Sequence, residues 1–358
     1  MMRVGVLGCG VISHTYLTNL RRYPQVSVVA VADLVTERAT STAAVHGVEA
    51  MTSPAGLLER DDIDLVCNLT VPQAHADVTA RAIDAGKHVY GEKPLAVSPA
   101  EITPTLAAAA TAGLVVGCAP DTFLSPGQQL ARRLLDEGRI GTPVSAAASW
   151  LSRGHESWHP AADFYYRAGG GPLFDMGPYY LTVLVNLLGS VLQVSAVTST
   201  AWTTRMLVVG DRAGEHFAVD VPTHVSGLLL FESGASATVQ MSFDVTGDVP
   251  RRLEIYGTEG TLYCPDPNGF DGDVGVYADG ERRQLTVAAD GDQRGIGLAD
   301  LADAVRSGRP ARASAALSFH VLEVMDALHR AGAERRVVDV ASRVTRPVPL
   351  SPDEGWLG

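Results

Sequence analysis

The residues that indicate the fold most directly are RVGVLGCGVIS, positions 3–13. The apolar run before the first glycine is typical of a buried strand, and a helical pattern follows the glycines directly. Gly8 allows a tight turn, and Gly10 lets the backbone approach a pyrophosphate. The helix start at Val11 and Ile12 would present N–H groups and a positive dipole to the same anion. This stretch therefore predicts a dinucleotide-binding unit.

Two further residues bear on that prediction. Ser13 stands where the fingerprint has its third glycine, and it is small enough to keep the helix close to a sheet. Asp33 follows 20 residues later, a spacing at which a carboxylate accepts both hydroxyls of an adenine ribose. Asp33 would repel a 2′-phosphate and Leu34 brings no compensating cation, so NAD is favoured over NADP. The alternative is that the glycines only form a sharp turn and that Asp33 only caps the next helix.

The first 120 residues alternate short apolar runs with helical patterns. The runs are typical of strands: Arg3 to Leu7, Val26 to Ala32, Asp64 to Thr70, His88 to Tyr90 and Leu114 to Gly117. Ser53 and Pro54 have the signature of an N-cap followed by proline at the first helical position. Alternation of strand and helix implies parallel pairing through right-handed crossovers. We therefore expect a doubly wound parallel sheet of the Rossmann type over residues 1–120.

Beyond residue 120 the pattern changes to longer alternating stretches joined by tight turns. The turns are expected at 232–234, 258–260 and 279–280, and helices near 297–307 and 315–331. This order of strands and helices is typical of an antiparallel sheet with helices on one face. Residues 121–358 are predicted to form an α+β domain with a large, mainly antiparallel open sheet.

One stretch could be mistaken for a membrane span, because the 29 residues from Met176 to Thr204 carry no formal charge. Its interior indicates otherwise. Helical spacing of apolar residues stops at Gly189, and alternate apolar positions follow as in a strand. We interpret the run as a buried helix followed by a strand, with no membrane contact.

Composition excludes several classes of protein. The chain has 358 residues, 46% hydrophobic and 19% charged, which is typical of a globular protein of about two domains. The net charge of −12 argues against a nucleic-acid partner, since phosphate backbones would be repelled. The four cysteines lie far apart with no CxxC pair, so neither a disulfide framework nor a metal site is predicted. A reducing compartment, the cytoplasm, is expected.

The fifth apolar run leads directly into Glu92, Lys93 and Pro94. These residues would lie at the carboxyl end of the sheet, where doubly wound folds bind their ligands. A lysine there would lie near a nicotinamide, whose positive ring, with partial desolvation, lowers a lysine pKa toward the range of a useful acid or base. A surface lysine on a loop is the alternative.

Taken together, these motifs resemble the Gfo/Idh/MocA family of sugar and cyclitol oxidoreductases. The residues that carry the resemblance are the glycine fingerprint, Asp33, Thr70-Val71-Pro72 with His75, Glu92-Lys93-Pro94 and GGGPLFDMGPY at 169–179. The resemblance spans essentially the whole chain. It implies transfer of a hydride between nicotinamide and a carbinol or carbonyl carbon of a sugar, sugar derivative or cyclitol.

The resemblance also assigns roles in the first domain. Lys93 would contact nicotinamide and substrate, and in the family this lysine often precedes a cis-proline. Glu92, Thr70, Pro72 and His75 would line the cofactor cleft.

In the second domain the resemblance implies a substrate-facing helix with an aspartate and, four residues on, a histidine. Asp175 matches the aspartate, and Tyr179 replaces the histidine. This replacement resembles the glucose-fructose oxidoreductase and dihydrodiol dehydrogenase branches, in which a tyrosine is the proposed proton donor. Residues four apart share a helix face, so Asp175 could hold a sugar hydroxyl while Tyr179, assisted by Lys93, moves its proton. Tyr180 is a rival for that role.

A loop before the triple glycine contains HExxH at 155–159, formally a zinc-protease motif. Gly154 and Pro160 leave no long helix to display two ligands, so no metal is predicted. We expect instead a loop over the substrate pocket, since aromatic faces and a few donors suit a sugar ring. A purely structural loop is the alternative. The candidate substrate-binding residues of this loop are His155, Trp158 and Arg167.

Other functions stay open from sequence. The same family covers NAD-dependent glycoside cleavage, and a non-enzymatic sugar or NAD sensor is a third reading. The open sheet is expected to bury one face in a second copy, giving a homodimer or homotetramer. The particular sugar, the carbon oxidised and the physiological direction are not encoded in any motif.

Overall fold

The computed structural model describes residues 1–51, 53–288 and 291–351. The described residues fall into two compact units. The first takes those within Met1–Leu124, Asp290–Phe319 and Pro347–Gly358, and the second those within Ser125–Ala289 and His320–Arg346.

The first unit is built on a parallel sheet, six strands within the described ranges, in the order β3-β2-β1-β4-β5-β6. The strands are β1 (Met2–Leu7), β2 (Val26–Ala32), β3 (Glu49–Ala50), β4 (Leu65–Asn68), β5 (His88–Gly91) and β6 (Val116–Cys118). Neighbouring strands pair in parallel throughout this order. The order reverses between β1 and β4, which is the switch point at which doubly wound sheets bind ligands. The predicted Rossmann-type sheet is confirmed.

Helices connect these strands, and sequence signals explain where they begin. They are α1 (Val11–Asn19), α2 (Thr36–His46), α3 (Pro54–Leu58), α4 (His75–Asp84) and α5 (Pro99–Thr111). The Ser53 hydroxyl accepts the N–H of Gly56 at 3.1 Å, and Pro54 takes the first helical position, as predicted. Gly47 ends α2 in the left-handed conformation.

The second unit contains two helices, α6 (Pro126–Asp136) and α7 (Gly171–Leu188), and a large sheet. Its strands are β7 (Pro143–Leu151), β8 (Val191–Ser199), β9 (Thr204–Met206), β10 (His216–Ala218), β11 (His224–Phe231), β12 (Ser236–Ser242), β13 (Arg252–Gly257), β14 (Gly260–Tyr263), β15 (Val274–Ala278), β16 (Glu281–Leu285) and β17 (Val338–Asp339). Among described residues the large sheet runs β16-β15-β14-β13-β7-β12-β11-β8-β17, and β9 pairs separately with β10. The pair β7–β12 is parallel, and the remaining pairs are antiparallel. The predicted mainly antiparallel sheet is confirmed.

The helices of the second unit cover one face of this sheet. In β11, Val225 and Leu229 are buried, whereas Leu228 and Leu230 are exposed on the opposite face. Helix α7 packs against β7, β11 and β12. Helix α7 followed by β8 confirms the interpretation of the uncharged run as a buried helix and a strand. In the part of the chain that is described, no helix is both long and apolar enough to cross a bilayer.

Two more helices follow, α8 (Ile296–Ser307) and α9 (Ala315–Glu334). Helix α8 belongs to the first unit, where the carboxylate of Asp121 accepts the N–H groups of Gly295 and Gly297 at 2.8 and 3.0 Å. Asp121 thus satisfies the helix N-terminus from a distant part of the chain. The boundary expected near residue 120 assigned α8 and Asp121 to the second domain. A helix cap supplied by a distant residue leaves no local sequence pattern, so their place in the first unit could not be predicted.

Candidate active site residues in the two units

Gly8 forms the tight turn after β1. Its φ is +98°, and a Cβ there would lie 2.6 Å from the carbonyl oxygen of Leu69. Both the left-handed backbone and the close approach of the chain that follows β4 therefore require glycine. Ser13 is fully buried and its hydroxyl donates to the carbonyl of Gly10 at 2.6 Å, so the third fingerprint position is filled without loss of packing.

Gly10 presents the opposite case. It precedes α1 with φ −78°, which any residue adopts, and apart from its two chain neighbours no described residue has an atom within 4 Å of the position of a Cβ. Nothing in the first unit explains why glycine stands here. A group bound from outside, close to the backbone at the start of α1, does explain it, and no side chain caps that helix start. The backbone at Gly10, Val11 and Ile12 fits a pyrophosphate.

Asp33 lies at the end of β2, next to the glycine turn. One carboxylate oxygen accepts the N–H of Cys9 at 2.8 Å and the other accepts the N–H of Val35 at 2.8 Å. Helix α2 takes Val35 as its N-cap residue, so the alternative that Asp33 serves only as a helix cap does not describe its contact with Cys9. A carboxylate oxygen can accept more than one hydrogen bond, so both oxygens of Asp33 keep the capacity to accept ribose hydroxyls.

Exposed apolar side chains surround this edge of the sheet. Val11 at the start of α1 is 90% exposed, Leu34 after β2 is 92% exposed, and Val71 after β4 is 60% exposed. Isolated exposed aliphatic residues are ordinary, but these three all follow the carboxyl ends of neighbouring strands. They supply apolar surface where a planar ring of a dinucleotide would lie.

The loop after β4 is joined to the loop after β5 by His75. The ring of His75 is 2% exposed, with Nδ1 2.6 Å from the carbonyl of Pro94 and Nε2 3.0 Å from the carbonyl of Thr70. Burial lowers the pKa of His75. A neutral ring donates from one nitrogen only, so His75 hydrogen-bonds one of these carbonyls and packs against the other, between the two loops that the family resemblance implies line the cofactor cleft. Thr70 in turn donates its hydroxyl to Asn68 at 2.6 Å.

Glu92 and Lys93 follow β5 and are half-buried. The carboxylate of Glu92 accepts the hydroxyl of Tyr16 at 2.7 Å and the backbone N–H of Lys93 at 3.1 Å. Burial, with the Glu92 charge, raises the pKa of Tyr16, which keeps this phenol a neutral donor. The Lys93–Pro94 peptide is cis, as the family resemblance implies. Tyr16 is a hydrogen-bond partner of Glu92 that sequence reasoning missed, since a tyrosine on a buried helix face has no distinctive pattern.

Asp175 and Tyr179 lie one turn apart on α7. The helix is continuous from Gly171 to Leu188 in spite of Pro178 in its interior. One carboxylate oxygen of Asp175 lies 2.7 Å from Nε2 of His155, and both side chains are more than nine-tenths buried. The side chain of Tyr179 is almost fully buried as well.

Tyr180 points elsewhere. It is fully buried, and its hydroxyl donates to a carboxylate oxygen of Asp266 at 3.4 Å. Burial raises the pKa of Tyr180 well above the usual range. A fully buried tyrosine engaged in this way is typical of a packing residue.

The loop between β7 and α7 separates its predicted substrate-binding residues. His155 is buried against Asp175, Trp158 is 58% exposed, and Arg167 pairs with Asp220 on the surface. His159, the second histidine of HExxH, accepts the N–H of Ala161 through Nδ1 at 3.1 Å. Within the described ranges, no group of three or more His, Cys, Asp or Glu side chains is arranged to hold a metal ion.

Replacing Gly10 with alanine should weaken NADH binding at least about tenfold without lowering the melting temperature, because the methyl group intrudes only on the bound pyrophosphate. Fluorescence titration with NADH and a thermal melt of the same sample measure the two quantities. The matched control is Gly8→Ala, whose backbone strain should lower the melting temperature as well. Unchanged NADH affinity in Gly10→Ala would contradict the assignment.

Known protein families match both parts of the chain. Residues 2–119 match the oxidoreductase family with an NAD-binding Rossmann fold, and residues 128–263 match the GFO/IDH/MocA C-terminal domain. The dTDP-3,4-didehydro-2,6-dideoxy-alpha-D-glucose 3-reductase of Streptomyces violaceoruber is 31% identical over 318 residues, which cover 85% of each chain. The inositol 2-dehydrogenase of Rhizobium meliloti (strain 1021) is 29% identical over 264 residues, 73% of this chain and 74% of its own.

A solved structure of similar fold is levoglucosan dehydrogenase in complex with NADH and L-sorbose. Its TM-score is 0.85 at 23% sequence identity, and the match covers 96% of this chain and 99% of that chain. At this identity the likeness shows the fold.

Proposed function

Because the chain belongs to the GFO/IDH/MocA family of NAD-binding oxidoreductases, we propose that it moves a hydride between nicotinamide and a carbinol or carbonyl carbon of a sugar, sugar derivative or cyclitol. The proposal rests on one edge of the parallel sheet in the first unit. At this edge the open backbone at Gly10 and the carboxylate of Asp33 fit a dinucleotide. The relatives' names supply the substrate class, a deoxysugar nucleotide in one and inositol in another.

In the oxidative direction, NAD held at this edge would supply the hydride acceptor for the carbinol C–H bond, and the hydroxyl proton would pass to a base. The chain's own residues handle that proton. We assign its transfer to Tyr179, which accepts the proton as the phenolate in the oxidative direction and returns it as the phenol in the reductive direction, with Lys93 contacting the nicotinamide and the substrate. Asp175 holds a neighbouring hydroxyl of the sugar as an acceptor, and Glu92 with Thr70 and Pro72 shapes the cofactor loops.

A substrate screen tests the proposal directly. Purified protein is mixed with NAD and a panel of aldoses, inositols, levoglucosan and an aryl glycoside, or with NADH and 3-keto sugars, and NADH absorbance and aglycone release are followed. A steady change in NADH with at least one sugar supports the proposal. Release of an aglycone from a glycoside without net NADH would instead indicate the glycoside-cleaving reaction of the family, and NADH binding with no turnover of any substrate would indicate a sensor.

The cofactor preference is a separate expectation. We expect the carboxylate of Asp33 to face the 2′ position of the adenine ribose, so a 2′-phosphate would meet a negative charge. Binding of NADH should be at least about tenfold tighter than binding of NADPH, by fluorescence titration at low and moderate salt. Equal affinities would contradict this placement of Asp33.

We also propose that the protein forms a homodimer or homotetramer through the exposed face of its large sheet. On β8 and β11 of that face, Val197, Leu228 and Leu230 are exposed, and Val197 is paired with Ser226, which lies on the same side as the two leucines. Light scattering at micromolar concentration tests this, and a monomer would contradict it. The thiols of Cys9, Cys67, Cys118 and Cys264 are unpaired, which supports a reducing compartment such as the cytoplasm.

A further inference from the structure

The uncharged run of residues 176–204 is bounded by Asp175 on one side and Arg205 on the other. Two consecutive residues of the loop between β7 and α7, His155 and Glu156, contact Asp175 and Arg205, respectively. Nε2 of His155 lies 2.7 Å from the carboxylate of Asp175, and Nη1 of Arg205 donates to Glu156 at 2.7 Å. All four side chains are only 7–11% exposed. The HE pair of the HExxH motif therefore links α7 to β9.

Arg205 fixes the loop through several contacts besides Glu156. Nη1 also donates to the carbonyl of Arg153 at 3.2 Å. Nη2 donates to the carbonyl of Phe243 at 3.0 Å and to the carboxylate of Asp244. The guanidinium thus joins the loop backbone to the end of β12, and its planar set of donors holds these groups in fixed directions.

The loop backbone closes tightly on this ion pair. Gly154 has φ +94°, and a Cβ there would lie 2.3 Å from both a carboxylate oxygen of Glu156 and the hydroxyl of Tyr166. The Tyr166 hydroxyl donates to the same carboxylate at 2.6 Å. Glycine is required here by the backbone and by the network together, and no side chain could be added without displacing Glu156.

The ring of His155 is equally confined. Its centroid lies 4.4 Å from that of Tyr165 and 4.7 Å from that of Phe243, and rings of Trp150 and Trp158 contact it at their edges. Since a carboxylate only accepts, Nε2 carries the proton in the bond to Asp175. This bond selects one orientation of the Asp175 carboxylate.

Buried ion pairs are weak stabilisers, because desolvation of the charges cancels much or all of their attraction. A network of Glu156, Arg205 and Asp244 beneath a loop is therefore better explained by the position it imposes than by stability. We propose that His155 is the positioning residue of Asp175, and that Glu156 and Arg205 hold His155 in place for that purpose. The inference rests on the proposed function, which gives Asp175 its role toward a substrate hydroxyl. It assigns His155 to positioning, whereas the sequence predicted that His155 contacts the substrate.

A test that needs no substrate uses the full chain labelled with ¹⁵N in its 10 histidines. His155 should show a slowly exchanging proton on Nε2, assigned by its loss in His155→Leu, and Asp175→Leu, which leaves no oxygen to accept that proton, should remove the same signal. Arg205→Met and Glu156→Gln should shift or broaden the same signal. The matched control Asp220→Asn, which removes the exposed partner of Arg167, should leave it unchanged. A signal insensitive to Arg205→Met and Glu156→Gln would overturn the proposal.

The activity arm uses NAD with myo-inositol and with levoglucosan as probes. His155→Leu should raise the KM for the sugar and lower kcat/KM at least about tenfold, with NADH affinity unchanged. His155→Gln, whose amide nitrogen replaces Nε2 as a donor, should restore most of the loss. A lower apparent kcat with unchanged KM, proportional to lost folded protein, would mean a merely structural role and would overturn the inference. If the wild-type protein oxidises neither sugar, the choice of substrate is at fault, and the NMR comparison still decides the positioning role.

Discussion

Replacing Lys93 with methionine is expected to lower kcat about a thousandfold or more, while the Kd for NADH changes by no more than a few-fold. General acid–base groups contribute about 10²–10⁴-fold to rate, and Lys93 would also orient the nicotinamide and the substrate. Methionine keeps the length and apolar stem of the side chain, so the loop between Glu92 and Pro94 should fold as before. Steady-state kinetics with the substrate found by the screen, together with NADH titration, measure the two effects.

The sequence provides a matched control for this substitution. The chain has two lysines, Lys87 and Lys93, among its 28 basic residues, and the others are arginines. Arginine cannot lose its proton in a protein and could not replace an acid–base lysine. Lys87 is buried, and its ammonium donates to the carbonyl of Arg60 at 2.7 Å. Lys87→Met should lower the melting temperature but retain kcat, and a Lys93→Met enzyme of full activity would refute the role of Lys93.

Local patterns were sufficient for much of the fold. The strand–turn–helix at 3–13, the N-cap at Ser53 and the hairpin turns near 232–234 and 258–260 each depend on neighbouring residues, and each is found in the structure. Elements buried on one face or both leave a period in the sequence, which explains why the order of helices and strands could be read.

Contacts between distant residues could not be predicted in the same way. Asp121 caps α8 across 174 residues, and Arg205 reaches Glu156 across 49, with nothing in either local pattern to announce the partner. The same limit applies to His155, whose sequence context suggested a loop donor for sugar but whose ring is committed to Asp175. A motif fixes which chemistry is available, whereas burial and partners decide whether a side chain binds a ligand or positions another residue.

Tyr179 illustrates how structure narrows a choice that sequence leaves open. Tyr179 and Tyr180 are adjacent on α7. Successive helical residues point about 100° apart, so the two side chains face different surroundings. Tyr180 donates to Asp266, whereas Tyr179 lies one turn beyond Asp175. The proton-transfer role is therefore proposed for Tyr179 alone.

Tyr179→Phe is expected to lower kcat about 100-fold to 1,000-fold, because only the hydroxyl that exchanges the substrate proton is removed. The melting temperature and the Kd for NADH should stay close to their wild-type values. The measurement is kcat and kcat/KM for the sugar identified by the screen, with a solvent isotope effect to show whether proton transfer has become slower.

Two companion variants make the result specific to this hydroxyl. Tyr180→Phe removes the hydroxyl next door, which donates only to Asp266, and should retain kcat. Tyr179→His introduces the residue that the family resemblance implies at this position and should recover part of the activity lost in Tyr179→Phe, since imidazole is also a competent acid and base near neutral pH. Equal losses in Tyr179→Phe and Tyr180→Phe would show that the tyrosines serve only packing, and the proton would then have to be moved by another group.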